Sequence, residues 1–138
     1  MKNRISGLII KSPWIDMILS GEKTWEIRGM RTIKKEWIAL IKSGSKKIFG
    51  ICRIIDVKGP LTLKEFQDTF EKHRVPPEKI KRDGLPYKKT YAWVIRDVLQ
   101  FEVPIQYEHP SGAVIWVNLP SDSRIDKAIH EAETKASL

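Results

Sequence analysis

The sequence contains a single cysteine, Cys52, among its 138 residues. A lone cysteine cannot form an intramolecular disulfide, so the fold does not depend on an oxidising compartment. Long apolar runs are also absent, since none approaches the roughly 20 residues that cross a bilayer. The apolar part of Met1–Lys11 is too short for a secretory signal. We therefore expect a cytoplasmic protein with no membrane among its partners.

The usual marks of metal and catalytic sites are missing as well. The three histidines, His73, His109 and His130, lie far apart and away from Cys52, so they lack the spacing of zinc ligands. The sequence also has no glycine-rich phosphate loop and no recognisable Ser-His-Asp arrangement. We predict that the protein binds no metal and no cofactor.

Positive charge, by contrast, is abundant. Lysine and arginine number 25 against 17 aspartate and glutamate residues, which gives a net charge of +8. The resulting field attracts polyanions such as nucleic acids, although the same charge could simply keep a small domain in solution. Basic residues in predicted turns or loops could contact phosphates: Lys34, Lys35, Lys46, Lys47, Lys79, Lys81, Arg82, Lys88 and Lys89.

Length and hydrophobic pattern predict one α+β domain. A chain of 138 residues of which 41% are apolar supports a single core. Five or six strands with about three helices, and no β-α-β alternation, favour a small β-barrel. We place this domain at residues 1–120. A C-terminal helix at 121–138, capped by Ser123, packs on the domain or extends from it.

Local signals locate the first two elements and a later helix. After a strand near Leu8–Ile10, Ser12 is suited to cap a short helix that starts at Pro13 and ends before Gly21. Thr62 with Glu65 forms a capping box that predicts a helix running toward residue 73. The other predicted strands lie at residues 36–42, 46–57, 90–99 and 113–119.

The basic segment Glu78–Lys89 separates that helix from the late strands. It contains Gly84 and Pro86, which interrupt regular structure. We predict a loop with one helical turn in it, which could act as a mobile flap.

Most of the candidate binding residues lie in the segment Gly21–Arg28, just after the first predicted helix. It alternates, so that Trp25 and Ile27 face the core while Thr24, Glu26 and Arg28 face the other side. Arg28 can hold a phosphate or carboxylate through paired hydrogen bonds, and Lys23 at the strand's start supplies a point charge. Glu26 can accept from a base amino group. The alternative is an exposed cross-strand ion pair.

This segment resembles the signature of the ASCH family, Gly-x-Lys-x-x-Glu-x-Arg, whose fixed positions are met by Gly21, Lys23, Glu26 and Arg28. The segments 91–95 and 111–117 are similar to two late strands of that family, and the resemblance extends to about residue 119. It implies a PUA-like barrel, with the signature residues lining a cleft between helix and sheet. It also implies kinship with domains that bind RNA or read modified bases.

Two of the five tryptophans are candidates for stacking on a base. Trp25, Trp37 and Trp116 lie on apolar-patterned faces and are assigned to the core, which leaves Trp14 and Trp93. The predicted binding residues are therefore Trp14, Lys23, Thr24, Glu26, Arg28 and Trp93.

The favoured function is binding of RNA or single-stranded nucleic acid, or of a nucleotide-like small molecule, with a modified base as one possible target. The alternative is a hydrolase that uses Lys23 and Glu26 on RNA or on acetylated cytidine. In the amidohydrolase branch that the resemblance suggests, the position of Glu26 is a threonine nucleophile. The carboxylate here argues against covalent catalysis by that route and leaves Glu26 as a general base for water, with Lys23 as its electrostatic partner. A third alternative is a protein-interaction domain with an acidic partner.

Overall fold

A computed structural model describes residues 4–137 of the chain. These residues form six strands and five helices: β1 (Arg4–Ile10), α1 (Trp14–Leu19), β2 (Trp25–Arg28), β3 (Trp37–Lys42), β4 (Lys47–Lys58), α2 (Leu63–Gln67), α3 (Phe70–His73), α4 (Pro77–Asp83), β5 (Tyr91–Gln106), β6 (Trp116–Pro120) and α5 (Ser123–Ala136). Within this part of the chain, no helix has the length and apolar content that a bilayer crossing requires.

All six strands belong to one mixed sheet in the order β2-β5-β4-β3-β1-β6. The strands β1 and β3 pair in parallel, and the other neighbours are antiparallel. The α+β class is confirmed, but the six-stranded sheet is open, so closure into the predicted small β-barrel is not observed. The short edge strand β2 pairs with β5 alone within the sheet. A cleft, described below, lies between β2 and β1.

Three apolar clusters build the core. The largest packs α1 against the sheet and includes Ile15, Leu40 and Trp93. A second lies under α5, whose Ile125, Ala128 and Ala132 are buried against the sheet. The third joins β2 to α2 and α4 and contains Trp25, Ile27, Phe66 and Ile80. The signature strand is therefore apolar on the face that alternation predicts, and its other face turns toward the cleft.

The first helix begins one residue later than predicted. Pro13 occupies its N-cap, and no side chain caps the helix. The Ser12 hydroxyl donates instead to the Asp16 carboxylate, and the Ser12–Pro13 peptide bond is cis. Trp14 is consequently the first helical residue.

The region between β4 and β5 contains three helices where one was predicted. The Thr62–Glu65 capping box is confirmed, but the helix ends at Gln67 and a new one starts at Phe70. The segment predicted as a loop contains α4, because Ile80 is 3% exposed and belongs to the third cluster. Burial of one isoleucine here outweighs the basic composition of its neighbours.

The last strands also differ from the prediction. The strand β5 continues through Pro104 to Gln106, and its pairing with β4 contains three register shifts. The strand β6 starts only at Trp116. Asp122 rather than Ser123 caps α5, because its side chain accepts from the Arg124 amide.

Candidate functional site

A cleft of about 300 Å³ opens between β1, α1, β2 and the segment that contains α4. Four of the six predicted binding residues line it: Trp14, Lys23, Glu26 and Arg28. A cleft of this size lies at the small end of ligand sites. It has room for one nucleotide-sized group and not for a paired helix.

Arg28 and Glu26 form a buried ion pair at the cleft floor. The Arg28 Nε donates to Glu26 Oε2 at 2.8 Å, and the side chains are only 16% and 7% exposed. This burial rules out the alternative of an exposed surface pair. A second bond, from Arg28 Nη2 to the Ile9 carbonyl at 2.9 Å, joins the edge strand β2 to β1. Arg28 therefore spans the gap that the open sheet leaves.

Arg28 also has donors to spare for a ligand. A guanidinium carries five N–H groups, and the bonds to Glu26 and Ile9 use one on Nε and one on Nη2. Among the hydrogen bonds of residues 4–137, none uses the Nη1 group of Arg28. The pair thus fixes the guanidinium in place while leaving part of it available for a phosphate or a carbonyl.

Lys23 is the most unusual residue of the cleft, since it is a lysine only 2% exposed. Its Nζ donates to the His73 carbonyl at 2.7 Å and lies 5.0 Å from the centroid of the Trp14 ring. The pKa of Lys23 is lowered to about 8, because burial and, to a smaller extent, the Arg28 charge outweigh the Glu26 carboxylate, which acts in the opposite direction. The amine is therefore a charge that changes near physiological pH.

His73 supports Lys23 from behind the cleft. It is fully buried and stacked on Phe66, with its Nε2 2.6 Å from the Phe66 carbonyl and its Nδ1 accepting from the Val75 amide at 2.9 Å. These bonds fix a neutral ring with the proton on Nε2. Burial also lowers the pKa of His73. The sequence analysis excludes His73 as a zinc ligand and assigns it no other role, because no local pattern reveals its contact with Lys23.

Two predicted binding residues lie outside the cleft, which corrects the sequence-based site. Trp93 is 0% exposed, its indole N–H donates to the Met30 carbonyl at 2.9 Å, and its ring stacks on Trp116. It is a core residue and has no free face for a base. Thr24 is exposed and does not line the cleft, and its backbone bonds Lys72 and Ile95. Of the two stacking candidates, only Trp14 borders the cleft.

The structure adds residues that the sequence did not single out. Tyr87 and Lys79, from the segment predicted as a flap, line the cleft together with Lys11 and Val114. Tyr87 packs directly against Gly29, where an added Cβ would lie 2.8 Å from the tyrosine Cδ1. A small residue after the signature arginine therefore permits an aromatic wall at this position.

The signature and its surroundings agree with a family model. The model of the ASCH domain matches residues 8–105, well over half of the chain. The chain belongs to the ASCH domain family. Its fold is accordingly PUA-like, as the sequence resemblance implied. The match ends before β6 and α5, although β6 pairs with β1 and α5 covers part of the same sheet.

Solved structures of ASCH proteins share this fold at low sequence identity. The crystal structure of ASCH from Zymomonas mobilis has a TM-score of 0.63 and 12% identity, covering 94% of this chain and 96% of that one. A serine-to-alanine mutant of the same protein has a TM-score of 0.64 and 13% identity, and the match covers 94% of this chain and 96% of that one. A tyrosine-to-phenylalanine mutant has a TM-score of 0.62 and 14% identity, and the match covers 91% of this chain and 96% of that one. No curated protein sequence matches the chain.

The described part of this ASCH domain contains neither a cluster of metal-ligating side chains nor a reactive cysteine. Within residues 4–137, no three histidine, cysteine, aspartate or glutamate side chains are grouped so that they could hold a metal. Cys52 is 0% exposed, and burial raises the pKa of its thiol, which keeps it protonated and unreactive. The cleft offers four cations, one carboxylate and two aromatic rings: Lys11, Lys23, Arg28, Lys79, Glu26, Trp14 and Tyr87.

Proposed function

We propose that this ASCH domain binds nucleic acid, RNA first of all, by taking one unpaired nucleotide into the cleft beside Lys23. The observation that carries the proposal is the buried lysine itself. Removing an ammonium group from water costs free energy, and the lowered pKa of Lys23 expresses that cost. A folded domain gains little from such a group unless an anion binds it. A phosphate is the anion that accompanies every nucleotide.

The remaining cleft residues suit the other parts of a nucleotide. Trp14 and Tyr87 provide aromatic surface for a base, and stacking contributes about 1–3 kcal/mol per base. The Nη1 donors of Arg28, which no hydrogen bond within residues 4–137 uses, can reach a base carbonyl or a phosphate oxygen. The fixed orientation of Glu26 and Arg28 favours one pattern of base donors and acceptors over others. This pairing supports recognition of a particular base, and a modified base is the natural extension of it.

Cations outside the cleft floor are positioned to contact further phosphates of the nucleic-acid backbone. Lys11 and Lys79 stand at its rim, and the net charge of +8 attracts polyanions from a distance. Contacts of these lysines with phosphates release counterions, so binding should weaken steeply with salt. An RNA affinity that is insensitive to salt, or absent at low ionic strength, would contradict the proposal.

Replacement of Trp14 by leucine tests the stacking part of the proposal. We expect the affinity for a fluorescein-labelled single-stranded RNA to fall about tenfold, since one stacked base loses its platform. Fluorescence anisotropy across a salt series measures the affinity, and urea unfolding verifies that the variant folds. The slope of affinity against salt should not change, because no cation is removed.

Trp37→Leu is the matched control for Trp14→Leu. Trp37 is also partly buried and also has a cation over its ring, Arg53, but it lies outside the cleft. It should leave RNA affinity unchanged. Equal losses in the two variants would show that stacking in the cleft does not contribute.

Hydrolysis of a modified nucleoside or of RNA is the second candidate, and one observation favours it. An amine whose pKa is about 8 is partly neutral at physiological pH and can accept a proton. We place binding first because Glu26, the second residue such chemistry would use, is already paired with Arg28. Conversion of acetylated cytidine or of RNA by the wild type, and not by Lys23→Met, would reverse this order.

A further inference from the structure

An isoleucine stands fully exposed at the middle of a basic loop beside the cleft. The loop comprises residues 29–36, which connect β2 to β3, and is called the wedge loop below. Ile33 is 98% exposed, the highest value among the large exposed apolar residues of the part of the chain that the structure describes. Arg31 precedes it, and Lys34 and Lys35 follow it. A single exposed isoleucine is common on protein surfaces, and this one differs by its place between cations and next to the cleft.

The wedge loop is held in place by contacts along its length. The Met30 carbonyl accepts from the Trp93 indole at 2.9 Å, and the Glu36 carbonyl accepts from the Ile54 amide at 3.0 Å. Between these points the Lys35 amide donates to the Ile33 carbonyl at 3.0 Å. Ile33 therefore projects from an anchored turn.

The cations of the wedge loop are also positioned by the fold. The Arg31 guanidinium lies 5.4 Å from the centroid of the Tyr91 ring, and the Lys34 amine lies 5.4 Å from that of Trp116. Stacking on aromatic faces restricts these long side chains and lowers the entropy that a phosphate contact would cost. Lys35 is 4.0 Å from Asp56 and remains 57% exposed.

The wedge loop starts at the cleft. It follows Arg28 directly, and its first residue, Gly29, packs against Tyr87 in the cleft wall. On the other side, Lys34 lies over Trp116, two residues after Val114, which lines the cleft and is 75% exposed. The wedge loop is therefore joined to two walls of the cleft, and it is a candidate contact for the nucleotides that neighbour the one at Lys23.

We propose that Ile33 inserts into the base stack of paired nucleic acid and fills the gap left by the nucleotide that enters the cleft. The inference rests on the proposed function. A base within a duplex cannot reach a pocket of this kind unless it rotates out of the stack. Apolar side chains that wedge between base steps are a known way to stabilise the opened duplex, and cations beside them bind the phosphates. The preferred partner is thus a duplex with one weakly paired nucleotide.

Charge decides between a nucleic acid and a protein as the partner of this loop. Arg31, Lys34 and Lys35 flank Ile33 along the chain, so an acidic, stacked partner complements both the cations and the apolar tip. A protein that buried Ile33 would have to desolvate these three cations as well. Protein docking remains an outcome of the experiment rather than part of the proposal.

The experiment uses a short RNA duplex with 2-aminopurine in a single mismatched position, and the same labelled strand without its complement. The fluorescence of 2-aminopurine rises when it leaves the stack, so it reports extrusion directly. For the wild type we expect duplex binding with a rise in this fluorescence. For Ile33→Ala we expect duplex affinity to fall about tenfold and the fluorescence rise to disappear, because the gap is no longer filled.

Two comparisons separate this inference from the proposed function. Ile33→Ala should change single-strand affinity by less than about twofold, since an unpaired nucleotide needs no wedge. Val103→Ala removes another exposed aliphatic side chain, 75% exposed on β5 and outside the cleft lining, and should change neither affinity. If single strands bind and Ile33→Ala binds the duplex as the wild type does, the insertion of Ile33 is refuted and nucleotide binding in the cleft is not. A protein-docking loop would give that result. If neither strand form binds, both proposals fail.

Discussion

Replacing Arg28 with alanine is expected to lower the free energy of unfolding by about 3 kcal/mol, although the residue belongs to a binding cleft. Glu26 is 5% exposed, and its carboxylate would lose the guanidinium that bonds it. The bond from Arg28 to the Ile9 carbonyl would vanish as well, and with it a direct link between β2 and β1. Urea unfolding followed by tryptophan fluorescence measures the change.

Arg53→Ala is the matched control for this prediction. Arg53 is also bonded to a carboxylate, that of Asp97 on the neighbouring strand, but its side chain is 41% exposed. Removing it should cost less than about 1 kcal/mol, because water replaces the lost partner. The double variant Glu26→Gln/Arg28→Ala should recover part of the unfolding free energy that Arg28→Ala loses, because it no longer buries an unpaired carboxylate. Equal losses for Arg28→Ala and Arg53→Ala would contradict a structural role for the buried pair.

Replacing Lys23 with methionine is expected to have opposite effects on stability and on binding. Methionine keeps an unbranched apolar stem and removes an ammonium group that burial disfavours, so the free energy of unfolding should rise by about 1 kcal/mol at neutral pH. The lost bond to the His73 carbonyl offsets part of the gain. RNA affinity should nevertheless fall by at least about tenfold, since a charge-assisted contact with phosphate is lost. Urea unfolding and anisotropy on one preparation measure both.

The pH dependence of stability provides an internal check on Lys23. Its pKa is lowered from 10.5 to about 8 on folding, so the unfolded chain binds this proton more tightly than the folded one. The lysine's contribution to stability should therefore improve as pH rises from about 8 toward 10.5, and this increment should be missing in Lys23→Met. Lys127→Met, at an exposed lysine on α5, is the control. A large loss of stability in Lys23→Met would make the lysine a structural residue.

Local signals in the sequence were sufficient for the signature strand and several helices. Alternation placed Trp25 and Ile27 in the core, and the structure buries both. The capping box at Thr62 and the apolar face of α5 were recognised because their partners are at most a few residues away along the chain. Strand closure could not be derived in this way, because whether β2 pairs with β6 depends on the curvature of the whole sheet.

The electrostatics of the site depend on contacts that no local pattern contains. Lys23 is buried against His73, fifty residues later in the sequence, and Arg28 bonds a carbonyl on β1. Trp93 and Trp14 are the same residue type and have apolar neighbours in the sequence. The packing of the sheet, and no local pattern, decides that Trp93 is buried and that Trp14 borders the cleft. Tyr87 was overlooked because its position depends on α4, which the burial of Ile80 creates.

The most direct test of the central claim is the affinity of wild type and Lys23→Met for single-stranded oligoadenylate between about pH 6 and 9, where the adenine bases do not titrate. If the charged amine of Lys23 binds the nucleotide's phosphate, wild-type affinity should fall about tenfold from pH 7 to pH 9, because about a tenth of the amines stay charged one unit above a pKa of about 8. Lys23→Met should bind weakly at every pH without this step. The same pH dependence in both proteins would contradict the account.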